Sequence, residues 1–244
     1  MDALEGPVPD ELRSKADQFR IGFESAVSMF DVASLVTGKW FMDYRDALAR
    51  SAESRVLSPI IWVSFYDIVS YLRSSLEWSA YAIRLRYDRG VEKGRRSVTF
   101  PTPRSTQPWS PVQLSEMFPN LESDSSGLFD YLVSVATNKG GGYGCLAQLH
   151  EMWNEMKHRQ PLQTQVESLH VTSQDKEGGT AESVTSSWLI AIAENFKIND
   201  IPKFVREEMF SVKDVLVGIK SVSPELAQVS RAWMDYSRDP PKQP

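Results

Sequence analysis

The sequence predicts a mainly α chain of the α+β class: a helical bundle with a small antiparallel β-sheet or hairpin in its C-terminal third. Over the first two thirds, long stretches repeat apolar residues at spacings of three and four, which is typical of amphipathic helices. After Pro161 apolar and polar residues alternate instead, as in half-buried strands. A chain of 244 residues is long enough to bury a sizeable core, and one domain is expected.

The first helix begins at Pro9 and Asp10, because a proline is tolerated in the first helical turn. A stripe of apolar residues at helical spacing follows: Leu12, Ala16, Phe19, Phe23, Ala26, Phe30 and Ala33. Thr37 and Gly38 interrupt this stripe. The sequence therefore predicts that the helix ends there and that a second, shorter helix covers residues 39–50.

Residues 56–88 are predicted to form the central helix of the bundle. When each residue advances by about 100°, six apolar side chains fall within an arc of about 80°: Phe65, Val69, Leu72, Leu76, Ala80 and Ile83. Further apolar residues lie outside this arc, and a helix that is apolar nearly all round is usually buried. Arg73 and Glu77 lie four residues apart at the edge of the main stripe, where they are expected to brace the bundle.

Glycines and prolines dominate the segment that follows. Four prolines between residues 98 and 112 exclude a regular helix there, and this irregular segment is expected to wrap around the core. The remaining predictions for this region are a short helical turn at 112–117, a polar loop at 121–127, and helices at 128–136 and 145–159. The last of these is predicted to pair with the central helix.

The C-terminal third is predicted to contain the strands. Two strands, 164–172 and 184–192, are joined by a hairpin loop, a third strand is expected within 196–210, and residues 211–220 fit a helix or a strand. Ser223 is the expected N-cap of a closing helix. The predicted organisation of residues 1–244 as a single domain is a helical bundle at 9–160, a β-rich addition at 161–221, a closing helix at 222–238 and a disordered tail at 239–244.

Charge and composition restrict the classes of function. A net charge of −5 gives no overall attraction to nucleic acid or to an anionic membrane, so such binding needs a local patch. The single cysteine, Cys145, excludes an internal disulfide framework. The acidic start is unlike a signal peptide, and no apolar run reaches the roughly 20 residues of a membrane span. A soluble, cytoplasmic protein with no membrane partner is predicted.

One local patch is basic. Residues 84–96 hold six basic and two acidic residues, and the basic ones are candidate contacts for nucleic-acid phosphates: Arg84, Arg86, Arg89, Lys93, Arg95 and Arg96. Tyr87 and Trp109 are possible stacking partners for bases. The alternative interpretation is a solvated helix end and loop, where basic residues also suit the helix C-terminus.

A second candidate site lies on the helix at 145–159. His150 and His158 are separated by about 12 Å along the helix axis, so one metal ion cannot bind both. Candidate residues for acid–base chemistry on a phosphodiester are His158, Asn154 and Lys157 of this helix with Arg73 and Glu77 of the central helix. The alternative is that they are ordinary polar residues of the helix surface. A third interpretation is a ligand pocket among Trp62, Trp78 and Trp153. No metal site is predicted, because the HExxH motif is also absent, and no cofactor is predicted, because the phosphate-binding loop motifs are absent.

Three motifs together resemble a family of bacterial proteins: YDIVSYLRSSLEWSAYAI at residues 66–83, VTFP at 98–101 and LHEMWNEMKHRQPL at 149–162. That family carries a helix with an LRSxLD motif, a loop with FPI and a helix with an NxxKHR motif. Here Glu77 replaces the aspartate of the first motif. The family is similar in outline to HEPN domains, which are helical bundles of toxin and defence systems, some of them metal-independent ribonucleases.

The resemblance implies a catalytic motif of an arginine, a polar residue, three further residues and a histidine. Asn154 and His158 match its last two positions, but Trp153 stands at the arginine position, which removes the group that would stabilise charge on the phosphorane. The expectation is therefore a non-enzymatic, HEPN-like binding or regulatory protein, accessory to a bacterial defence or mobile-element system. The alternative is a metal-independent endoribonuclease with a His/Asn/Arg cluster. RNA or a protein is the expected partner, and a homodimer is compatible with the sequence.

Overall fold

The computed structural model describes residues 10–51, 59–87, 98–104, 109–139, 141–157, 163–174, 180–193, 196–198 and 200–226. Side chains are described for residues 22–47, 60–87, 98–104, 109–139, 141–156, 198 and 200–226. The helices are α1 (Asp10–Ser51), α2 (Pro59–Tyr87), α3 (Pro111–Met117), α4 (Leu121–Asp124), α5 (Ser126–Ala136), α6 (Gly144–Lys157) and α7 (Ile201–Val222). The strands are β1 (Gln163–Gln174), β2 (Thr180–Ala193) and β3 (Phe196–Ile198), paired antiparallel in the order β1-β2-β3.

The predicted fold class is wrong. Of the residues whose side chains the structure describes, 83% are helical, and beyond the single residue Ile198 they include no strand or sheet. The described core is therefore an all-helical bundle rather than an α+β unit. The predicted β-rich addition at 161–221 also fails at its end, because residues from Ile201 onward form α7.

Helix α7 forms because its start and its apolar face both suit a helix. Asp200 is the N-cap, where its carboxylate accepts a hydrogen bond from the Lys203 backbone N–H at 2.8 Å, and Pro202 lies in the first turn. The face toward the bundle is built from Ile201, Phe204, Val205, Val212, Val215, Leu216 and Ile219, all buried. Ser223, the predicted N-cap of a closing helix, is the C-cap of α7, and residues 225–226 directly after it are helical. The predicted closing helix and tail fall mostly outside the described residues.

Helix α1 is continuous where the sequence predicted a break. Thr37 is buried, and its hydroxyl donates to Met209 Sδ of α7 at 3.7 Å, so this residue packs against the bundle without ending the helix. Gly38 is exposed, with open space where a side chain would lie. A single glycine in a helix costs about 1 kcal/mol relative to alanine, which the packing of a long apolar face can offset.

The central position of α2 is confirmed. All six apolar side chains of its predicted arc are at most 1% exposed. The backbones of α1 and α2 approach closely at Gly22, where a Cβ atom would lie 3.0 Å from Ala82 Cβ. Two hydrogen bonds join the helices at other points: Ser75 Oγ donates to Ala26 O at 2.6 Å, and Trp40 Nε1 donates to Ile61 O at 3.0 Å.

The described residues between α2 and α6 include three short helices. The predicted turn at 112–117 and the helix at 128–136 are confirmed as α3 and α5. The predicted polar loop at 121–127 is wrong, because buried Leu121 anchors the short helix α4 there and α5 begins at Ser126. Ahead of α3, the irregular segment 98–104 lies against α2 and brings two side chains to the site described next.

Candidate functional site

A group of polar and charged side chains meets where α2, α6 and the segment 98–104 come together. We call it the Arg73 cluster, and its members are Arg73 and Glu77 of α2, Thr99 and Arg104 of the segment, and His150 and Asn154 of α6. Apolar core surrounds it, since Leu72, Leu76, Leu149 and Met152 are at most 1% exposed. Buried polar groups are destabilising unless they have hydrogen-bond partners, so the partners of each group in the cluster matter.

Arg73 is the most deeply buried charge of the cluster, with 2% of its side chain exposed. It forms an ion pair with Glu77, and its Nη2 also donates to the Thr99 hydroxyl at 2.8 Å. Thr99 donates in turn to Glu77 Oε1 at 2.9 Å, and the Phe100 backbone N–H donates to Glu77 Oε2 at 3.2 Å. The pair therefore ties the segment 98–104 to α2, as the predicted role of a brace requires.

The brace leaves part of the Arg73 guanidinium unused. Its Nε and Nη1 are closed to solvent and have no hydrogen-bond partner among the described residues. Burial lowers the pKa of Arg73 below its ordinary value, Glu77 opposes this shift, and the charge of Arg104 adds to it. Burial and the positive charge of Arg104 thus both disfavour the charged form of Arg73, and the Glu77 carboxylate favours it.

His150 is held neutral. The Asn154 side-chain nitrogen lies 3.0 Å from His150 Nε2, and because an amide nitrogen can only donate, Nε2 accepts and the ring proton resides on Nδ1. That Nδ1 is buried and has no partner among the described residues. Burial, followed by the charges of Arg73 and Arg104, lowers the pKa of His150 to about 4. The imidazole is therefore uncharged at neutral pH.

Arg104 completes the cluster from the irregular segment. Its guanidinium lies 3.8 Å from the centroid of the Trp109 ring, and the Trp109 Nε1 donates to Thr102 O at 2.8 Å, which fixes the indole under it. The side chain is half-buried and makes no ion pair with the described residues.

The structure brings together only part of the predicted catalytic set. Arg73, Glu77 and Asn154 belong to the cluster, and the side chain of Lys157 and the whole of His158 lie outside the described residues. Sequence reasoning missed Thr99 and Arg104, which lie in a segment without periodicity. It considered His150 only as a metal ligand, and its four-residue spacing from Asn154 was the available signal for the contact found.

The basic patch is described at two of its six residues. Arg84 and Arg86 lie in the last turn of α2, where cations suit the negative end of the helix dipole, and Arg86 is 5.8 Å from the centroid of the Tyr87 ring. Arg89, Lys93, Arg95 and Arg96 lie outside the described residues. Phosphate binding by this patch stays a prediction.

Of the three residues of the predicted tryptophan pocket, Trp78 lines a groove in the described part of the chain. An open groove of about 310 Å³ runs along α2, lined by Ser74, Glu77, Trp78, Tyr81 and Val98. Trp78 and Tyr81 meet edge to face in it, with ring centroids 5.7 Å apart. Trp62 and Trp153, the other two residues of the predicted pocket, are not part of this lining.

A second buried ionisable group, Glu208, lies on α7. Glu208 of α7 is 0% exposed, and neither of its carboxyl oxygens has a hydrogen-bond partner among the described residues. Burial, and then the charge of Glu207, raise the pKa of Glu208 well above its ordinary value. The pKa of Cys145 is raised as well, by burial first and then by Glu208, which disfavours the reactive thiolate.

Three findings complete the description of the site. In the part of the chain that the structure describes, His, Cys, Asp and Glu form no group of three or more that could hold a metal ion. No helix within the described ranges has the length and apolarity needed to cross a membrane. Comparisons with protein-family models, with curated proteins and with solved structures gave no match.

Proposed function

We propose that this protein is a non-enzymatic binding or regulatory protein with a HEPN-like helical bundle. The observation that carries the proposal is the state of Arg73, which is 2% exposed and already paired with Glu77 and Thr99. A catalytic arginine for RNA cleavage must reach the phosphate of a polymer that binds from outside. A guanidinium closed within the bundle cannot do this.

The other described members of the cluster also lack the properties of an acid–base site. A general acid or base works best when its pKa is near the operating pH, whereas the pKa of His150 is about 4. Asn154 is engaged with the His150 ring, and Trp153 stands where the HEPN motif has its arginine. These observations support the absence of catalysis, and the HEPN-like assignment rests on the sequence motifs alone.

RNA cleavage tests the proposal. Purified protein is incubated with mixed RNA in the presence of a chelator, and wild type is compared with His158→Ala and with Arg73→Lys. We expect no cleavage above the buffer control in any of the three. Cleavage by wild type that is lost in His158→Ala would show a metal-independent ribonuclease and overturn the proposal.

A binding measurement addresses the partner. If the basic patch binds RNA, fluorescence anisotropy with labelled RNA should show an affinity that falls steeply with salt and weakens in Arg84→Gln/Arg86→Gln. Arg45→Gln is the control for loss of a single exposed positive charge, because this arginine is 79% exposed on α1 and far along the chain from the patch. Affinity that does not respond to salt or to the double substitution would leave a protein as the expected partner.

A further inference from the structure

We propose that the open groove along α2 binds a small quaternary ammonium compound, a free cation with a trimethylammonium group, between the rings of Trp78 and Tyr81. The groove has a volume of about 310 Å³ and is lined by Ser74, Glu77, Trp78, Tyr81 and Val98. A small molecule as ligand goes beyond the proposed function, whose expected partner is RNA or a protein.

Two aromatic rings form adjacent walls of the groove. Trp78 and Tyr81 lie three residues apart on α2 and meet at an interplanar angle of 82°, with ring centroids 5.7 Å apart. Their side chains are 37% and 40% exposed, so a ligand can reach them. Two nearly perpendicular rings leave a corner in which a cation lies within about 6 Å of both centroids, the range of cation–π attraction. The shape of the groove therefore suits a compact cation.

The charge of the lining also favours a cation. In the part of the chain that the structure describes, Glu77 is the one charged side chain of the lining, and it is 31% exposed. Its partner Arg73 is 2% exposed and is not part of the lining. The negative member of the ion pair is thus the one that a ligand meets, and it attracts a cation across a short distance. A neutral apolar ligand gains the ring contacts without this attraction.

The hydrogen bonds of Glu77 favour a cation without N–H donors. An ionised carboxylate has about four lone-pair sites. Arg73 and Thr99 both donate to Oε1, and the Phe100 backbone N–H donates to Oε2. A primary ammonium brings three N–H groups that lose water on binding and need acceptors, which this carboxylate cannot supply. A trimethylammonium group carries its charge without such donors and is attracted by the ring faces.

The groove is formed before a ligand binds, and its size fits a small molecule. The Thr99 hydroxyl and the Phe100 N–H bind Glu77, which holds the adjacent Val98 beside α2 as part of the lining. A preformed site avoids the entropic cost of ordering its walls around the ligand. A volume of about 310 Å³ lies at the lower end of the range of small-molecule sites.

Three probes titrated into wild type by calorimetry separate the charge of the ligand from its shape. Choline is compared with the neutral alcohol in which a carbon atom replaces the choline nitrogen, and with ethanolamine, which keeps the charge but has N–H groups in place of the methyl groups. We expect saturable binding of choline and at least tenfold weaker binding of the other two probes. Absence of saturable choline binding, or binding of either other probe as tight as that of choline, would overturn the inference.

Two variants locate the site. Trp78→Leu and Tyr81→Leu keep an apolar side chain and remove one ring each, so each should weaken choline binding at least tenfold. The matched control is Phe210→Leu, because Phe210 is a 65% exposed aromatic residue of α7 outside the groove lining, and choline binding should be unchanged. Circular dichroism confirms that the variants are folded, and the comparison of probes on wild type requires no variant.

Proton NMR of the choline methyl groups gives a readout of ring contact. Protons above an aromatic face shift upfield, so the methyl signal should move with wild type and with Phe210→Leu, and the shift should be lost with Trp78→Leu. Wild-type affinity and methyl shifts that persist in both Trp78→Leu and Tyr81→Leu would place the cation elsewhere and overturn the inference.

A peptide that carries trimethyl-lysine distinguishes a free cation from a modified protein. Equal or weaker binding of the peptide than of choline supports a free small molecule, and binding at least tenfold tighter would overturn that assignment. Failure of this inference is distinct from failure of the proposed function. Absence of choline binding in a protein that does not cleave RNA refutes only the ligand, whereas RNA cleavage lost in His158→Ala refutes the proposed function.

Discussion

Removing one partner of the Arg73–Glu77 pair should have unequal effects on stability. Glu77→Gln leaves the Arg73 cation almost wholly buried without a counter-charge, and breaking a buried pair in this way costs about 3–5 kcal/mol. Because Glu77 is itself 31% exposed, we expect a cost near the lower end, about 3 kcal/mol. Arg73→Met leaves a carboxylate that keeps Thr99, the Phe100 N–H and some solvent, so its cost should be smaller, about 1–2 kcal/mol.

Urea unfolding followed by circular dichroism measures these free energies. In the double variant Arg73→Met/Glu77→Gln the buried cation is absent, so its cost should be well below the sum of the two single costs. The matched control is Asp43→Asn in the Lys39–Asp43 pair, which has the same i,i+4 spacing but lies on the exposed face of α1. That substitution should cost less than about 1 kcal/mol. Equal losses of unfolding free energy in Glu77→Gln and Asp43→Asn would refute the role of the Arg73–Glu77 pair as a buried brace. Additive losses in the double variant would refute it as well.

Two further predictions concern the packing of the bundle. Gly22→Leu should destabilise the protein by about 1–3 kcal/mol, because its Cβ would lie 3.0 Å from Ala82 Cβ. Gly38→Leu should stabilise the protein by about 0.5–1 kcal/mol, because the space around Gly38 is open and leucine has the higher helix propensity. Chemical unfolding of both variants measures the two changes. Stability should also fall as pH rises from the ordinary Glu208 pKa of 4.5 toward the raised pKa of this residue in the folded protein. The slope should be up to about 1.4 kcal/mol per pH unit, because in this range the folded state keeps a proton that the unfolded state loses. Glu207 and Cys145 face the same group, and urea melts over a pH series should show this slope in wild type and its loss in Glu208→Gln.

The central helix could be predicted from sequence because its signal is local and strong. An apolar arc repeated over many turns leaves one helical solution, and α2 has the burial that the arc requires. The predicted break at Thr37 and Gly38 failed for the opposite reason. Thr37 and Gly38 have low helix propensity, which predicts a break when only the neighbouring sequence is considered. The contact of Thr37 with Met209 involves a helix far away in sequence.

The α7 region shows how an ambiguous pattern was resolved. Val215, Val217 and Ile219 fit a strand, while Val212, Val215, Leu216 and Ile219 fit one face of a helix. In the structure Val217 is 55% exposed and the members of the helical set are buried, so the period of 3.6 describes the segment. The deciding feature was the N-cap at Asp200 with Pro202 in the first turn, a start signal that was present in the sequence.

The Arg73 cluster could be predicted only in its helical half. Arg73 and Glu77 are paired by their four-residue spacing, and that much follows from sequence. Thr99 forms hydrogen bonds with both from a segment with no periodicity, 22 and 26 residues away along the chain, so no sequence pattern predicts the contact. This non-local half decides the chemistry: Thr99 and the Phe100 N–H occupy the carboxylate, and Arg104 adds a second cation. An isolated Arg–Glu pair would be balanced, and the second positive charge comes from the irregular segment.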